Sequence, residues 1–191
     1  QTVITQATLN SKNPLFTPVY NMYAFSVYNT VTYKNFSWYI EGAYKTHEGI
    51  NEPDSSRTST IVYDKPGNIV YTSINYGMKG IALTLSGKRT EDFVMRTSTS
   101  EALLNGMLNW QPVVAVLRPE RLISRYAPPS QDISEMAGTA TLQIAPNEVT
   151  AITLSHTNIN TLKDEKLYRE VYGDVSYQGL KSWVFHVGAQ Y

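Results

Sequence analysis

Short stretches of this chain alternate strictly between two kinds of residue. Phe36, Trp38, Ile40, Gly42 and Tyr44 take one parity, while Ser37, Tyr39, Glu41, Ala43, Lys45 and His47 take the other. Successive side chains of a strand point to opposite faces, so the segment predicts a strand with one apolar and one polar face. The same alternation predicts eight strands, at 21–34, 36–47, 68–78, 81–90, 135–144, 148–158, 167–178 and 181–191. Tyr23, Phe25, Val27, Val31 and Tyr33 carry the apolar parity in the first. Val70, Thr72, Ile74, Tyr76 and Met78 share one face of the third. Met136, Gly138, Ala140, Leu142 and Ile144 repeat the apolar parity in the fifth.

The connections differ in length. Tight turns are expected at Lys34-Asn35, Lys79-Gly80, Pro146-Asn147 and Gly179-Leu180, and longer connections at 48–66, 91–133 and 159–166. Residues 48–66 read as a polar loop, with Pro53, Asp54, Ser55, Ser56 and the turn signal Pro66-Gly67. Residues 91–133 break the alternation and read as a long loop or a plug-like insertion. Within them Ser98-x-x-Glu101 has the form of a capping box ahead of Ala102, Leu103, Leu104, Met107 and Leu108, which predicts a short helix that Gly106 weakens. Four prolines follow (Pro112, Pro119, Pro128, Pro129), with a short strand at Val113–Leu117 between the first two.

Strands of this length exceed the mode of roughly 5–6 residues in soluble sheets. They match the roughly 9–11 residues that cross a bilayer as a tilted strand. Short turns at one end and long loops at the other are the habit of outer-membrane barrels. Tyr23, Tyr33, Phe36, Trp38, Tyr44, Tyr76, Tyr177, Trp183 and Tyr191 fall near strand ends on the apolar parity, where amphipathic rings form girdles at the two membrane interfaces. The expected fold is therefore all-β: an antiparallel up-and-down transmembrane β-barrel or part of one. Residues 1–191 would make a single barrel domain or a fragment of a larger barrel. Trp38, Ile40, Leu83, Leu85, Leu142, Trp183, Phe185 and Val187 are expected to face lipid. Glu41, Lys45, Lys88, Glu135, Glu170, Asp174 and His186 are expected to line the lumen, the carboxylates bonding there with Lys45, Lys88 and Tyr172.

Composition narrows the function classes. The 16 basic residues balance the 16 acidic ones, which argues against a nucleic-acid surface and a polybasic membrane anchor. Charged residues make up 17% of the chain, below the roughly 25% of soluble domains, and 14 tyrosines suit strands with two-sided surface. The absence of cysteine excludes disulfides and thiol chemistry. No apolar run approaches the roughly 18 residues of a membrane helix. The chain opens on Gln1, as a processed exported protein or a fragment would, and the last strand pattern runs to Tyr191 without a stop signal.

No catalytic motif emerges. His47, His156 and His186 lie far apart without partners at ligand spacing, so no metal site is expected. Gly87-Lys88-Arg89-Thr90 has the ending of a phosphate-binding loop, but Ala82 stands where that loop needs glycine. Glu170 and Asp174 share a face without the spacing of a glycosidase pair. The expectation is a protein that is not an enzyme and takes no cofactor. Arg118, Arg121 and Arg125, three and four residues apart, would share a helical face that could meet lipopolysaccharide phosphate or an acidic partner, or could be a solvated loop pairing with Glu120.

The second half of the chain carries a resemblance. Asn109-Trp110-Gln111-Pro112, the stretch from Arg118 to Arg125, Tyr126-Ala127-Pro128-Pro129-Ser130-Gln131 and Glu135-Met136-Ala137-Gly138 together resemble a family of outer-membrane barrel proteins of Gram-negative bacteria whose function is not established. In that family an Asn-aromatic-x-Pro segment and a Tyr-x-Pro-x-x-Gln segment precede an acidic residue that opens the next strand pair. The run Leu167–Val175 is similar to another strand start of the family. The likeness covers residues 105–191 by motif and the first hundred by pattern. It implies a location in the outer membrane and a barrel fold, and no activity. For a barrel so placed the expected partners are outer-membrane lipid, lipopolysaccharide and other outer-membrane proteins, and the expected role is structural or accessory, as a subunit of a larger complex. A small-solute pore and a soluble β-sandwich that binds carbohydrate through exposed Tyr and Trp are the alternatives.

Overall fold

The computed structural model describes residues 22–53, 60–93, 95, 114 and 134–191. The fold is all-β. Eight strands, β1 (Ala24–Tyr33), β2 (Phe36–Pro53), β3 (Thr60–Met78), β4 (Ile81–Glu91), β5 (Glu135–Asn147), β6 (Thr150–Thr161), β7 (Lys166–Leu180) and β8 (Trp183–Gln190), form one sheet. Each strand pairs antiparallel with its sequence neighbour, in the order β1 to β8. The sheet is not closed: among the described residues β1 pairs only with β2 and β8 only with β7. No helix occurs among them. The expected helix at 98–108, the strand at 113–117 and the Arg118, Arg121 and Arg125 set lie outside the described residues, apart from Val114.

The tight turns gather at one end of the sheet. Lys34 (φ 51°), Gly80 (φ 78°) and Ser182 (φ 68°) take the left-handed backbone that two-residue hairpins require. Gly80 is constrained a second time, because a Cβ there would stand 2.9 Å from the carbonyl oxygen of Ala145. That contact comes from the Ala145 N–H donating to the Gly80 carbonyl at 2.7 Å, which ties the β3–β4 turn to β5.

The long-connection end departs from the sequence reading. Residues 48–53 and 60–66 are strand, not loop: β2 continues to Pro53 and β3 begins at Thr60, paired as Glu48↔Lys65 through Pro53↔Thr60. Pro66, which reads as a turn, instead sits at a β-bulge, where Lys45 to Glu48 spans one residue more than Gly67 to Lys65. A bulge tolerates a residue with no N–H to give to the ladder. Pro146 repeats the device: β5 runs through it to Asn147, the register slips between Ile144 and Asn147, and the turn falls at Glu148-Val149. Gly179 and Leu180 likewise belong to β7, beside a register slip after Tyr177, and the turn is Lys181-Ser182.

Candidate functional site

The ladders sort every strand residue onto one of two faces, and burial separates those faces against the usual polarity. One face, here the inner face, carries Lys45 (0% exposed), Glu135 (1%), Lys88 (3%) and Glu170 (4%). Thr90, Ser155 and Thr157 are buried beside them. The outer face carries exposed Phe25, Val27, Trp38, Val70, Leu85, Val175, Phe185 and Val187. A sheet in water buries its apolar parity. Here charged side chains of one parity are buried while large apolar side chains of the other are exposed.

All seven residues expected on the polar side share the inner face: Glu41, Lys45, Lys88, Glu135, Glu170, Asp174 and His186. Trp38, Ile40, Leu83, Leu85, Leu142, Trp183, Phe185 and Val187 share the outer one, with Trp183 stacked on Phe185 at 6.0 Å. The inner partners differ in part from those expected. Lys88 Nζ meets Glu135 Oε1 at 2.5 Å, and Lys45 pairs with Glu48 three residues on. Glu170 accepts from the Tyr168 hydroxyl (2.7 Å) and the Gln190 amide (2.5 Å). Glu41 accepts from the Tyr39 hydroxyl at 2.6 Å, and Asp174 stands 3.8 Å from His186 Nδ1. Tyr168 and Gln190 were missed as site residues; for Tyr168 the signal was present, since it sits two positions from Glu170 and shares its parity.

Gly67 makes the Lys45 placement possible. A Cβ at Gly67 would stand 2.6 Å from Lys45 Cε and 2.3 Å from the Asp92 carbonyl oxygen, so the lysine stem lies across bare backbone. Val114, from the 91–133 connection, packs with Ala137 and Ile159 against Tyr71 and Tyr168 on the same inner face.

The apolar band of the outer face is slanted with respect to the strands. On β2 it runs from Phe36 to Tyr44; on β7 it runs from Tyr177 to Val171, beyond which stands Arg169. Through the ladders Val171 lies in the row of Trp38, six residues short of Tyr44, and Phe36 lies in the row of Gly173, four residues short of Tyr177. The band therefore shifts by about one residue per strand, and with ~3.4 Å per residue and ~4.8 Å between strands it is level with respect to an axis inclined about 35° to the strands. On that axis Tyr33, Phe36, Tyr76, Tyr177 and Trp183 stand level at the turn-side margin, and Tyr23, Tyr44 and Tyr191 at the opposite one. The buried inner residues Lys45, Thr90, Glu135, Ile159 and Glu170 also fall into one level, beside the second margin. Measured along the axis the band is about 22 Å tall, from the ~3.4 Å rise at each step from Phe36 to Tyr44 projected onto the inclined axis.

Several polar groups on the outer face bond back to the sheet or to each other. Within the band the Trp38 indole N–H donates to Thr72 Oγ1 (2.9 Å), whose hydroxyl donates to the Tyr39 carbonyl (3.0 Å). His156 Nδ1 lies 3.0 Å from the Glu170 carbonyl. Beyond the band, Arg89 bonds both Asn68 (2.8 Å) and Glu91 (2.9 Å). Hydrogen bonds from Asn68 and then Arg89 hold the Glu91 carboxyl below its ordinary pKa.

The chain matches no protein-family model, no curated protein and no solved structure.

Proposed function

We propose that this chain forms wall strands of a β-barrel in the outer membrane of a Gram-negative bacterium, with a structural or accessory role in a larger outer-membrane assembly. The observation that carries the reading is the slanted apolar band. Closing a sheet into a barrel requires strands tilted typically 35–45° to the barrel axis. A band level on an axis inclined about 35° is what a flat bilayer would impose on such strands. Its height of about 22 Å is close to the ~25 Å apolar belt of outer-membrane barrels. Level rings of aromatics at both margins match interfacial girdles. A soluble sandwich would cover this face with a second sheet, and the eight strands all belong to one.

Both sheet edges carry the band, Phe25, Val27 and Val31 on β1 and Trp183, Phe185 and Val187 on β8, so both would lie in hydrocarbon, where an unpaired edge is not tolerated. The wall is therefore an arc of a larger barrel whose other strands cap β1 and β8. Fractionation of cells followed by gel mobility with and without heating tests this. Recovery in the outer membrane, with an unheated form that migrates differently, is expected. Recovery as a detergent-free soluble species would sink it.

A further inference from the structure

We propose that the inner wall carries a subsite for neutral oligosaccharides built on Tyr28, Tyr39, Glu41 and Tyr71. The inference rests on the inner face being the water-filled side of a barrel. The ladders put Tyr28 opposite Glu41 and Glu41 opposite Tyr71, so three side chains share one row, and Tyr39 stands two residues along on the same face. The Tyr39 and Tyr71 rings are 6.1 Å apart and tilted by 55°, and Tyr28 is 70% exposed. The hydroxyl of Tyr39, at 2.6 Å, fixes the Glu41 carboxylate between the rings. On its turn side the wall continues with Ser73 and Asn75, which bond to Ser86 and Thr84 on β4. These groups are neutral donors and acceptors.

The chemistry selects the ligand. Tyrosine faces offer amphipathic surface to the C–H faces of pyranose rings. A carboxylate accepts paired sugar hydroxyls through charge-assisted bonds, and side-chain hydroxyls and amides take those that remain. Lys88 follows Tyr71 in the same row, but its ammonium is buried against Glu135, and Lys45 is buried against Glu48, so the charge left accessible in the row is that of Glu41. An anionic sugar is repelled there and a neutral one is not.

The test is calorimetric titration of the purified, detergent-extracted protein with maltotetraose, cellotetraose and tetragalacturonate. Saturable binding of at least one neutral tetrasaccharide and none of the acidic one is expected. Tyr39→Ala and Tyr71→Ala should each weaken it by about tenfold, the effect of losing one ring contact. The outer-face Tyr76→Ala should leave it unchanged. Glu41→Gln should retain the neutral ligand and admit tetragalacturonate. No saturable heat with either neutral tetrasaccharide, or alanine variants that bind as tightly as the unaltered protein, would overturn the site. Heat-modifiable mobility of the same preparation reads the barrel separately: mobility shift without binding removes the subsite and leaves the barrel, while binding without a shift upholds the subsite and removes the barrel.

Discussion

Leu85 and Lys88 stand three residues apart on β4 and point to opposite faces, yet the leucine is 37% exposed and the lysine 3%. In a water-soluble sheet the two values would be exchanged, because burying apolar area is the main gain of folding and burying an ammonium is a loss. The difference teaches that each face has its own solvent problem. The inner face handles burial by pairing: Lys88 with Glu135, Glu170 with Tyr168 and Gln190. On the outer face large apolar side chains stay exposed, and Trp38 and Thr72 turn their polar atoms back onto the sheet.

The sharpest way to break this contrast is to remove half of the inner pair. Glu135→Ala takes away the carboxylate 2.5 Å from the Lys88 ammonium, and deleting one partner of a buried pair costs about 3–5 kcal/mol. Denaturant unfolding in detergent should show that loss. The double variant Lys88→Met with Glu135→Leu should recover most of it, since an apolar pair of similar volume often replaces a buried ion pair at no cost. Equal loss in the single and double variants would mean that the pair is not what this face depends on.

Next comes the outer face. Leu85 lies near the middle of the slanted band, and Leu85→Arg should destabilise by about 2–4 kcal/mol if that face meets a bilayer. In water the same exposed substitution would stay within about 0.5 kcal/mol. Folding into vesicles of varied denaturant concentration measures the difference, and a near-zero effect would return the face to water.

A smaller effect belongs to the turn end, where both faces meet the same hairpins. Gly80→Ala places a side chain at φ 78° and 2.9 Å from the Ala145 oxygen. The left-handed conformation alone costs about 1–2 kcal/mol. A loss in that range, against none for Gly77→Ala, whose Cβ would meet nothing within 4 Å, would show that the turn is pinned to β5.

Which residues share a face was legible from parity alone, because the side-chain period of a strand is two and survives without knowledge of neighbours. The extents of the strands were not. Pro66 and Pro146 read as terminators, and each lies inside a strand at a bulge, a device that depends on the partner strand and leaves no local mark. The arm from Glu48 to Lys65 was hidden by its charge and by Pro53, although Thr60, Ile61, Val62 and Tyr63 carry strong strand preference. The slant of the band was hidden for a different reason: it exists only between strands, and every ladder from β2 to β7 is needed to draw it.

That slant yields the finest test of the contrast, because it assigns depth as well as side. Met78 and Leu85 both face outward on adjacent strands, and both are exposed, at 50% and 37%. Exposure alone would rank Met78→Arg as no milder than Leu85→Arg in any apolar medium. Depth ranks them otherwise. Met78 stands at the turn-side margin, level with Tyr33 and Phe36, where an arginine head reaches the interface and costs only about 0–1 kcal/mol. The ratio of the two effects therefore reads the orientation of the sheet. A clear excess for Leu85→Arg is what the axis drawn from the ladders requires, whereas equal penalties would place both residues at one depth and require a different axis.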